Sequence, residues 1–486
     1  MSVEGRTRWL ALLVLCLGDV MIVLDGTIVN VALPSIREDL GFSETSLAWV
    51  VNAYLLTFGG FLLLGGRLGD LFGQRRLFLA GITLFTLASL GCGLATSQEL
   101  LVGARAVQGL GGALVSAVAL SLIMTLFTEP AERAKAMGIF GFVLSGGGTA
   151  GVLLGGVLTD ALNWHWIFLV NLPIGAVVYL LSLRLLPAAR GTAASGRLDV
   201  AGAVTVTASL MLAVYAIVNG NETGWTSGRT LGLLGAAAAL SALFLAIEAR
   251  ISSPLMPLGL FRNRNVSAAN VVGVLMAAGM FAYFFFSALY LQQVLGYTPL
   301  EVGVAYLPSM VIWGASSLLL SDRLVMRFGV KMPLLTGLGL MTAGLVLFAR
   351  TPVDGNFLVD VLAGTIAIGL GAGIAFNPLL LAAMSDVSPE ESGLASGVVN
   401  TAFMMGGALG LAVLASLAAS GSDRLLASGE GPLAALNGGY HIAFLVGAAF
   451  VVASAAVGAL FLRAGLQTFP HGDEDALCLP AAAEAD

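Results

Sequence analysis

The chain has 486 residues; 58% of them are hydrophobic, only 10% are charged, and the formal net charge at pH 7 is -6. Soluble domains carry about 25% charged residues, so this composition excludes a soluble globular protein and indicates one that lies within a lipid bilayer. The cysteines show no disulfide or metal-ligand spacing and no nucleotide-binding loop appears. We therefore expect no metal or other cofactor, and no nucleotide or nucleic-acid partner.

Fourteen apolar stretches follow one another along the chain. A helix of about 20 apolar residues crosses the hydrocarbon core of a bilayer, which is about 30 Å thick. The stretches are continuously apolar and do not alternate as the strands of a membrane barrel would, so the predicted fold is an all-α membrane bundle. The predicted spans, named segments 1 to 14, are 9–33, 46–66, 77–97, 100–127, 136–159, 166–187, 200–219, 230–248, 266–291, 299–321, 332–350, 357–384, 393–419 and 441–462.

Two polar stretches, Pro187 to Arg197 and Ser253 to Asn265, divide the segments into groups of six, two and six. The sequence "GRLGDLFGQRR" follows segment 2 and the similar "DRLVMRFGVK" follows segment 10, which is the same place in each group of six, as expected of a duplicated unit. The predicted domains are an N-terminal six-helix bundle (1–187), two inserted helices (188–264), a C-terminal six-helix bundle (265–465) and a disordered tail (466–486).

The distribution of basic residues predicts the orientation of the chain. Most Lys and Arg residues, including Arg75, Arg76 and Lys331, lie in loops on the same side as both termini. Cytoplasmic loops retain positive charge. We therefore expect a multi-pass protein of the plasma (inner) membrane, surrounded by lipid, with both termini in the cytoplasm.

Segments 1 and 4 each contain a charged residue, Asp25 and Arg105, well inside an apolar run. Such a charge costs about 3 kcal/mol at the bilayer centre, so it faces a partner or a cavity. Segment 1 runs outward and segment 4 inward, which places Asp25 about 12 Å and Arg105 about 8 Å below the outer end, so the two side chains could meet.

Two interpretations of this pair stay open. One is a buried ion pair that only holds segment 1 against segment 4. The other is a proton-exchange site, because burial and a nearby guanidinium act on the proton affinity of a carboxylate in opposite directions. A second acid, Asp19, lies six residues earlier and about 120° around the helix, where it is a proton relay, a cation contact or a residue of a water-filled funnel.

The loop after segment 2 is predicted to be a tight cytoplasmic turn that contains Gly66, Asp70, Arg75 and Arg76. Glycine permits the turn, and Asp70 can accept hydrogen bonds from helix ends or basic partners. The arginines are either ordinary positive charges of a cytoplasmic loop or part of a charge latch that holds the inner face closed.

Segment 5 contains glycines at every fourth position, Gly147, Gly151 and Gly155, with Gly156 beside them. Small residues at this spacing allow two helix backbones to approach closely. The stripe therefore predicts tight packing, and it would also let helices slide if it lay at the seam between the two bundles.

Candidate residues for a substrate cavity are aromatic or carry an amide. Aromatic side chains suit a large apolar ligand, although clusters such as "MFAYFFF" in segment 9 are also typical of plain packing. The candidates are Asn30, Tyr54, Gln108, Tyr283, Phe286, Tyr290 and Gln292.

Several of these stretches resemble the major facilitator superfamily, and specifically its branch of fourteen-helix drug:proton antiporters. The resemblance covers roughly Trp9 to Arg463, and in segment 5 it departs at Val152, where the family's antiporter motif has Pro. The stretches that carry it are "LDGTIVNVALP", "GRLGDLFGQRR", "RAVQG", "WHWIFLVNLPIG" and "PLGLFRNRN".

The resemblance implies the major facilitator fold with two inserted helices, and proton-driven export of amphipathic drugs or antibiotics by alternating access. It implies that Asp25 and Arg105 couple transport to protons, and that Gly66, Asp70 and Arg75 belong to a gating loop.

One alternative is a dedicated exporter of one endogenous metabolite or lipid precursor, because no cargo-specific motif is present. A receptor or scaffold that transports nothing gives no reason for Asp25. An enzyme is not expected, because no loop is long enough for a catalytic domain.

Overall fold

The computed structural model describes residues 3–127, 129–187, 199–251, 254–385, 387 and 392–463. Regular structure in these residues is helical throughout, with short π-helical stretches at Tyr290–Val294, Ser317–Ser321 and Phe357–Val361. The α-helices are α1 (Val3–Leu40), α2 (Glu44–Phe72), α3 (Gln74–Gly93), α4 (Gln98–Leu126), α5 (Pro130–Ala161), α6 (Trp166–Leu169), α7 (Asn171–Leu185), α8 (Val200–Thr223), α9 (Gly228–Glu248), α10 (Arg264–Leu289), α11 (Pro299–Ser316), α12 (Asp322–Phe328), α13 (Lys331–Phe348), α14 (Leu362–Met384), α15 (Ser392–Ala427) and α16 (Pro432–Phe461).

These helices confirm the predicted all-helical membrane fold. Thirteen helical spans in the described part of the chain are long and apolar enough to cross a membrane. They match thirteen of the predicted segments, and segment 5 corresponds to α5, a helix of 32 residues. Segment 6 is built from α6 and α7, and segment 10 from α11, a π-helical stretch and α12. The predicted orientation supplies names for the two ends of the bundle: the predicted cytoplasmic end, where α1 begins, and the predicted outer end.

Side-chain caps fix where several helices begin, because the first backbone amides of a helix have no partner within it. Ser43 forms a capping box with Ser46 at the start of α2, and Thr298 forms one with Glu301 at the start of α11. Ser97 caps α4 by accepting from the backbone N–H of Leu100. All three caps lie at the predicted outer end, where each helix turns back into the bundle.

The turn between α2 and α3 is shorter than the sequence predicted. Gly66 and Asp70 lie within α2, and the chain reverses at a single residue, Gly73, whose φ of +96° favours glycine. The prediction ended segment 2 where apolar residues end, but a helix continues past that point as long as its backbone hydrogen bonds do. The expected tight loop of Gly66, Asp70, Arg75 and Arg76 is therefore wrong in extent: only Gly73 separates the two helices.

The helices before the inserted pair pack mainly on one another, as do the helices after it; we call them the N-terminal set (α1–α7) and the C-terminal set (α10–α16). Contacts between the sets run mainly along α2 and α15, α5 and α11, and α1 and α10. The exact domain boundaries stay predictions, because residues 188–198, 252–253 and 464–486, which hold most of the first linker, part of the second and the predicted tail, lie outside the described residues.

The inserted helix α8 lies along the seam between the two sets. A Cβ added to Gly60 of α2 would lie 1.9 Å from Oγ1 of Thr207 in α8, so the side chain of Thr207 packs directly on the backbone of α2 there. Nδ2 of Asn221, near the other end of α8, donates to the carbonyl oxygen of Ser416 in α15 at 2.7 Å. The partner helix α9 packs against α8. The inserted pair thus covers one side of the α2–α15 seam.

The two sets are joined across the predicted outer end by polar contacts. Arg37 of α1 donates to Oε1 of Gln293 at 3.0 Å, and within the C-terminal set the hydroxyl of Tyr440 donates to the same oxygen at 2.9 Å. Nε2 of Gln292 donates to the carbonyl oxygen of Val31 at 2.8 Å. We call the two contacts between the sets, Arg37 to Gln293 and Gln292 to Val31, the outer closure. They hold the outer end of α1 against the π-helical stretch that follows α10 in this conformation.

Candidate functional site

Asp25 lies on α1 inside the N-terminal set, and both of its carboxyl oxygens accept hydrogen bonds. Arg105 of α4 forms an ion pair with Oδ2. Nε2 of Gln108 and Nδ2 of Asn171 donate to Oδ1 at 2.7 and 2.9 Å. The predicted meeting of segments 1 and 4 is confirmed, because the acid and the guanidinium are in direct contact.

The guanidinium of Arg105 has several further partners. Its Nε donates to the carbonyl oxygen of Val50 at 2.9 Å, and the nitrogen that contacts Asp25 also donates to Oε1 of Gln108 at 2.6 Å. The charge lies 4.4 Å from the ring centre of Tyr54, a cation–π distance. Removing one partner of such a buried pair costs about 3–5 kcal/mol, because the other charge is left uncompensated.

Five helices contribute to this cluster, since Ser89 of α3 accepts from Gln108 at 2.8 Å. Asn171 and Ser89 were not predicted. Asn171 carried a signal, because it is the polar residue inside the quoted "WHWIFLVNLPIG" stretch and stands in an apolar environment. Ser89 carried none, since a serine in a membrane helix usually bonds to its own backbone, and Ser89 also does so through Phe85.

Solvent does not reach this pair in the present conformation, since Asp25 and Arg105 are both 0% exposed. The carboxyl group is therefore closed to both ends of the bundle. A proton can enter or leave only if the surrounding helices move.

Asp19 lies on the same helix, about 9 Å from Asp25 towards the predicted cytoplasmic end. It is 4% exposed, and its Oδ1 accepts from the hydroxyl of Ser116 at 2.6 Å. Its Oδ2 has no hydrogen-bond partner among the described residues. Asp19 therefore has a free acceptor oxygen between Asp25 and the predicted cytoplasmic end.

The glycine stripe of α5 packs against α1, within the N-terminal set. A Cβ on Gly151 would lie 2.8 Å from the carbonyl oxygen of Leu24, and one on Gly155 would lie 2.7 Å from that of Ile28. Gly147 faces Val20 at 3.3 Å. The idea that the stripe lies at the seam between the bundles is thus wrong for these three glycines.

Gly156 is the exception, since it does lie at the seam. A Cβ there would lie 2.6 Å from the carbonyl oxygen of Pro299, at the start of α11. The sequence could not separate the two faces, because spacing along a helix gives relative direction but not which neighbour each face meets.

The predicted gating loop makes its described contacts within the N-terminal set. Arg75 donates to the carbonyl oxygen of Leu183 at the end of α7, and Arg76 is exposed. A Cβ on Gly66 would meet no atom within 4 Å. The side chain of Asp70 lies outside the described part of the structure, so its role in a latch stays a prediction.

The seven candidate cavity residues lie in four different places. Tyr54 and Gln108 belong to the Asp25 cluster, Gln292 to the outer closure, and Asn30 donates to carbonyl oxygens of its own helix at 3.3 Å. The other three are packed inside the C-terminal set and are at most 2% exposed; they are Tyr283, Phe286 and Tyr290.

A different aromatic cluster lies nearer the seam. Phe403 of α15 contacts Phe281 of α10 and Phe376 of α14, with ring centres 6.3 and 5.6 Å apart, and Phe281 and Phe376 are partly exposed. The neighbouring Met404 lies 3.1 Å from a Cβ placed on Gly59 of α2. The sequence indicated an aromatic run but not which of its rings is partly exposed.

Comparisons with known proteins place this geometry in a family. The model of the Major Facilitator Superfamily matches residues 15–411. The chain is 41% identical to the puromycin resistance protein pur8 of Streptomyces alboniger over 92% of this chain and 90% of that protein. It is 37% identical to the cephamycin export protein CmcT of Amycolatopsis lactamdurans, over 93% and 92%.

Solved structures agree on the fold. The nucleoside transporter NupG matches with a TM-score of 0.66 and 14% identity, covering 93% of this chain and 100% of that one. A bacterial homologue of the human lysosomal transporter Spinster matches with a TM-score of 0.66 and 17% identity, covering 94% of this chain and 97% of that one.

The expectation of a transporter and not an enzyme is confirmed by the family and by the puromycin and cephamycin relatives. With a family model matched over residues 15–411 and a relative 41% identical along nearly the whole chain, the protein belongs to the Major Facilitator Superfamily.

Proposed function

We propose that this protein exports amphipathic antibiotics or other drugs across the plasma membrane in exchange for protons, by alternating access. The observation that carries the proposal is the Asp25–Arg105 ion pair, fully buried in a chain whose relatives are named as resistance and export proteins. Membrane lipid surrounds the bundle, and both termini lie in the cytoplasm.

Protonation of Asp25 changes the balance of forces in the cluster. Arginine keeps its proton, so a neutral Asp25 leaves the Arg105 charge with neutral partners, which are the Val50 carbonyl, the Gln108 amide and the rings of Tyr54 and Phe168. The link between α1 and α4 weakens because its charge-assisted contact is lost. Deprotonation restores that contact. The cluster thus has two arrangements, and the proton selects between them.

Asp25 exchanges its proton in turn with each side of the membrane. In the present conformation the outer closure holds α1 and α10 together. When these contacts open, water enters from the outer end, which is the nearer end to Asp25, and delivers a proton. In the opposite state Asp19, with its free Oδ2, relays the proton towards the cytoplasm.

The cargo binds between the two sets of helices. The partly exposed rings of Phe281 and Phe376 offer the aromatic surface that suits an amphipathic molecule. Both rings belong to the C-terminal set and Asp25 to the N-terminal set, so proton and cargo act on one another through the movement of the helices and not through direct contact.

A narrower function is the second candidate. The cephamycin export protein is named for one antibiotic class, as is the tetracenomycin C resistance and export protein of Streptomyces glaucescens, 36% identical over 86% of this chain and 77% of that protein. This favours a dedicated exporter of one endogenous compound as the alternative to broad drug export.

Transport into proteoliposomes tests the proposal. Purified full-length protein is reconstituted, a proton gradient directed either into or out of the vesicles is imposed, and transport of puromycin and of chemically unrelated antibiotics is followed. We expect net transport of several compounds, and we expect its direction to reverse when the proton gradient is reversed. Uptake of a single compound supports the dedicated exporter, and no uptake of any compound under either gradient contradicts drug export.

A further inference from the structure

Two carboxyl groups are buried where the inserted helices meet at the predicted cytoplasmic end. Asp199 caps the start of α8 and is 2% exposed, and Glu248 is the last residue of α9 and is 3% exposed. Oδ1 of Asp199 accepts from the backbone N–H of Gly202 at 2.7 Å. Oε2 of Glu248 accepts from the backbone N–H of Met256 at 3.1 Å. Each acid therefore has one satisfied oxygen.

The remaining two oxygens face each other. Oδ2 of Asp199 and Oε1 of Glu248 have no hydrogen-bond partner among the described residues. Both flank Gly202, where an added Cβ would lie 2.3 Å from the aspartate oxygen and 2.9 Å from the glutamate oxygen. The two oxygens therefore share one small space beside Gly202. Two ionised carboxylates are acceptors only, so a hydrogen bond between them requires a proton.

No described basic group neutralises this pair. At this end of the packed elements, Arg67 of α2 and Arg250 after α9 are exposed, and neither forms an ion pair with Asp199 or Glu248 within the part of the chain that the structure describes. The helix α15 carries no charged residue from Ser392 to Ser422. Like charges held this close do not both ionise, so one of the carboxyl groups keeps its proton.

We propose that Asp199 and Glu248 form a second proton-binding site, which holds one proton between Oδ2 of Asp199 and Oε1 of Glu248. The site is separate from the Asp25 cluster and does not depend on the transport proposal. The shared proton joins the beginning of α8 to the end of α9, and through Met256 to the segment that follows.

The site also fixes the inserted pair to the N-terminal set. Leu255, next to Met256, packs with Ala203 of α8 and Leu64 of α2 in a small buried apolar cluster. Loss of the proton leaves two facing negative charges under this cluster. The joint between the inserted helices and α2 therefore loosens when the cytoplasm becomes alkaline.

Infrared difference spectroscopy tests the site directly. Spectra of the purified full-length protein are recorded at neutral pH for wild type, Asp199→Asn and Glu248→Gln, with Glu99→Gln, an exposed acid of α4, as the matched control. We expect the C=O stretching band of one protonated carboxyl group in wild type and in Glu99→Gln, and its absence in both site variants. Spectra of the site variants that differ from wild type only in ionised-carboxylate bands would overturn the proposal.

Thermal unfolding against pH gives an independent readout. The folded wild type holds a proton that the unfolded chain releases, so its unfolding midpoint falls as the pH rises to mildly alkaline values. Glu248→Gln keeps the shape of the side chain and can still accept from the backbone N–H of Met256 but cannot titrate, so we expect a smaller fall of its unfolding midpoint.

Arg197 precedes Asp199 by two positions and lies outside the described residues. If Arg197→Gln alone removes the pH dependence, the pair is held by an arginine and the shared proton is refuted.

Discussion

At the scale of single residues, Gln108 connects the two charges of the cluster. Its Nε2 donates to Asp25 at 2.7 Å while its Oε1 accepts from Arg105 at 2.6 Å. A protonated Asp25 can still accept from the amide but no longer carries a charge, so the hydrogen bond from Gln108 weakens when Asp25 is protonated. Asn171 has a simpler role, since it donates to the same oxygen of Asp25 from α7.

The variant Asn171→Ala removes one of the two donors to Oδ1 of Asp25. Hydrogen bonds to charged groups contribute about 1.5–3 kcal/mol. At 1.4 kcal/mol per tenfold change, we expect drug-driven proton flux to fall by at least about tenfold. The matched control is Asn219→Ala, because the amide of Asn219 bonds to the carbonyl of Tyr215 in its own helix. Equal flux in the two variants would show that Asn171 does not position the acid.

At the scale of helices, α5 sets the position of Asp25 because its glycines lie directly against α1. A side chain on Gly151 would contact the backbone of Leu24, the residue before the acid. The carbonyl oxygen and Cα at 2.8 and 3.0 Å cannot move without moving α1. The stripe is therefore a packing device that couples two helices of one set.

Two identical substitutions on α5 test this coupling. Gly151→Ala forces α1 and α5 apart, so we expect a loss of about 1–3 kcal/mol in stability, read as a lower thermal unfolding midpoint, together with weaker transport. Gly146→Ala is the control, since its Cβ would meet nothing within 4 Å and alanine favours a helix by about 1 kcal/mol over glycine. Indistinguishable unfolding midpoints for the two variants would argue against the close contact.

At the scale of the whole molecule, the outer closure decides which end of the bundle is open. Gln293→Ala removes the acceptor shared by Arg37 and Tyr440. Only the bond from Arg37 joins the two sets, and a hydrogen bond to a charged group contributes about 1.5–3 kcal/mol, so the population with an open outer end should rise by roughly tenfold or more. Spin labels on the exposed residues Thr96 and Asp354, one on each set, report the opening as a longer distance.

The control for the outer closure is Gln98→Ala, because Gln98 also lies at the predicted outer end but donates to Leu40 and Gly41 within the N-terminal set. We expect its distance distribution to match that of wild type. If Gln293→Ala gives the same distribution as Gln98→Ala, the contacts across α1 and α10 do not control the opening.

The helical spans and the Asp25–Arg105 contact were predictable because they follow from local properties. The length of an apolar run fixes a span, and a charge buried in lipid requires a partner at a similar depth. The rest depends on how each helix is rotated about its axis, which only tertiary packing decides. The sequence thus could not show which interface the stripe of Gly151 meets, nor that Tyr283 is buried while Phe281 is partly exposed. The joint of Asp199 and Glu248 joins residues 49 positions apart, which no local pattern signals.

Drug-driven proton flux in proteoliposomes tests most directly whether Asp25 couples transport to protons. A gradient of a transported drug is imposed on wild type, Asp25→Asn and Glu38→Gln, an exposed acid of the same helix, and the pH change inside the vesicles is recorded. We expect flux in wild type and Glu38→Gln, and none in Asp25→Asn although it still binds the drug. Undiminished proton flux in Asp25→Asn would contradict the account.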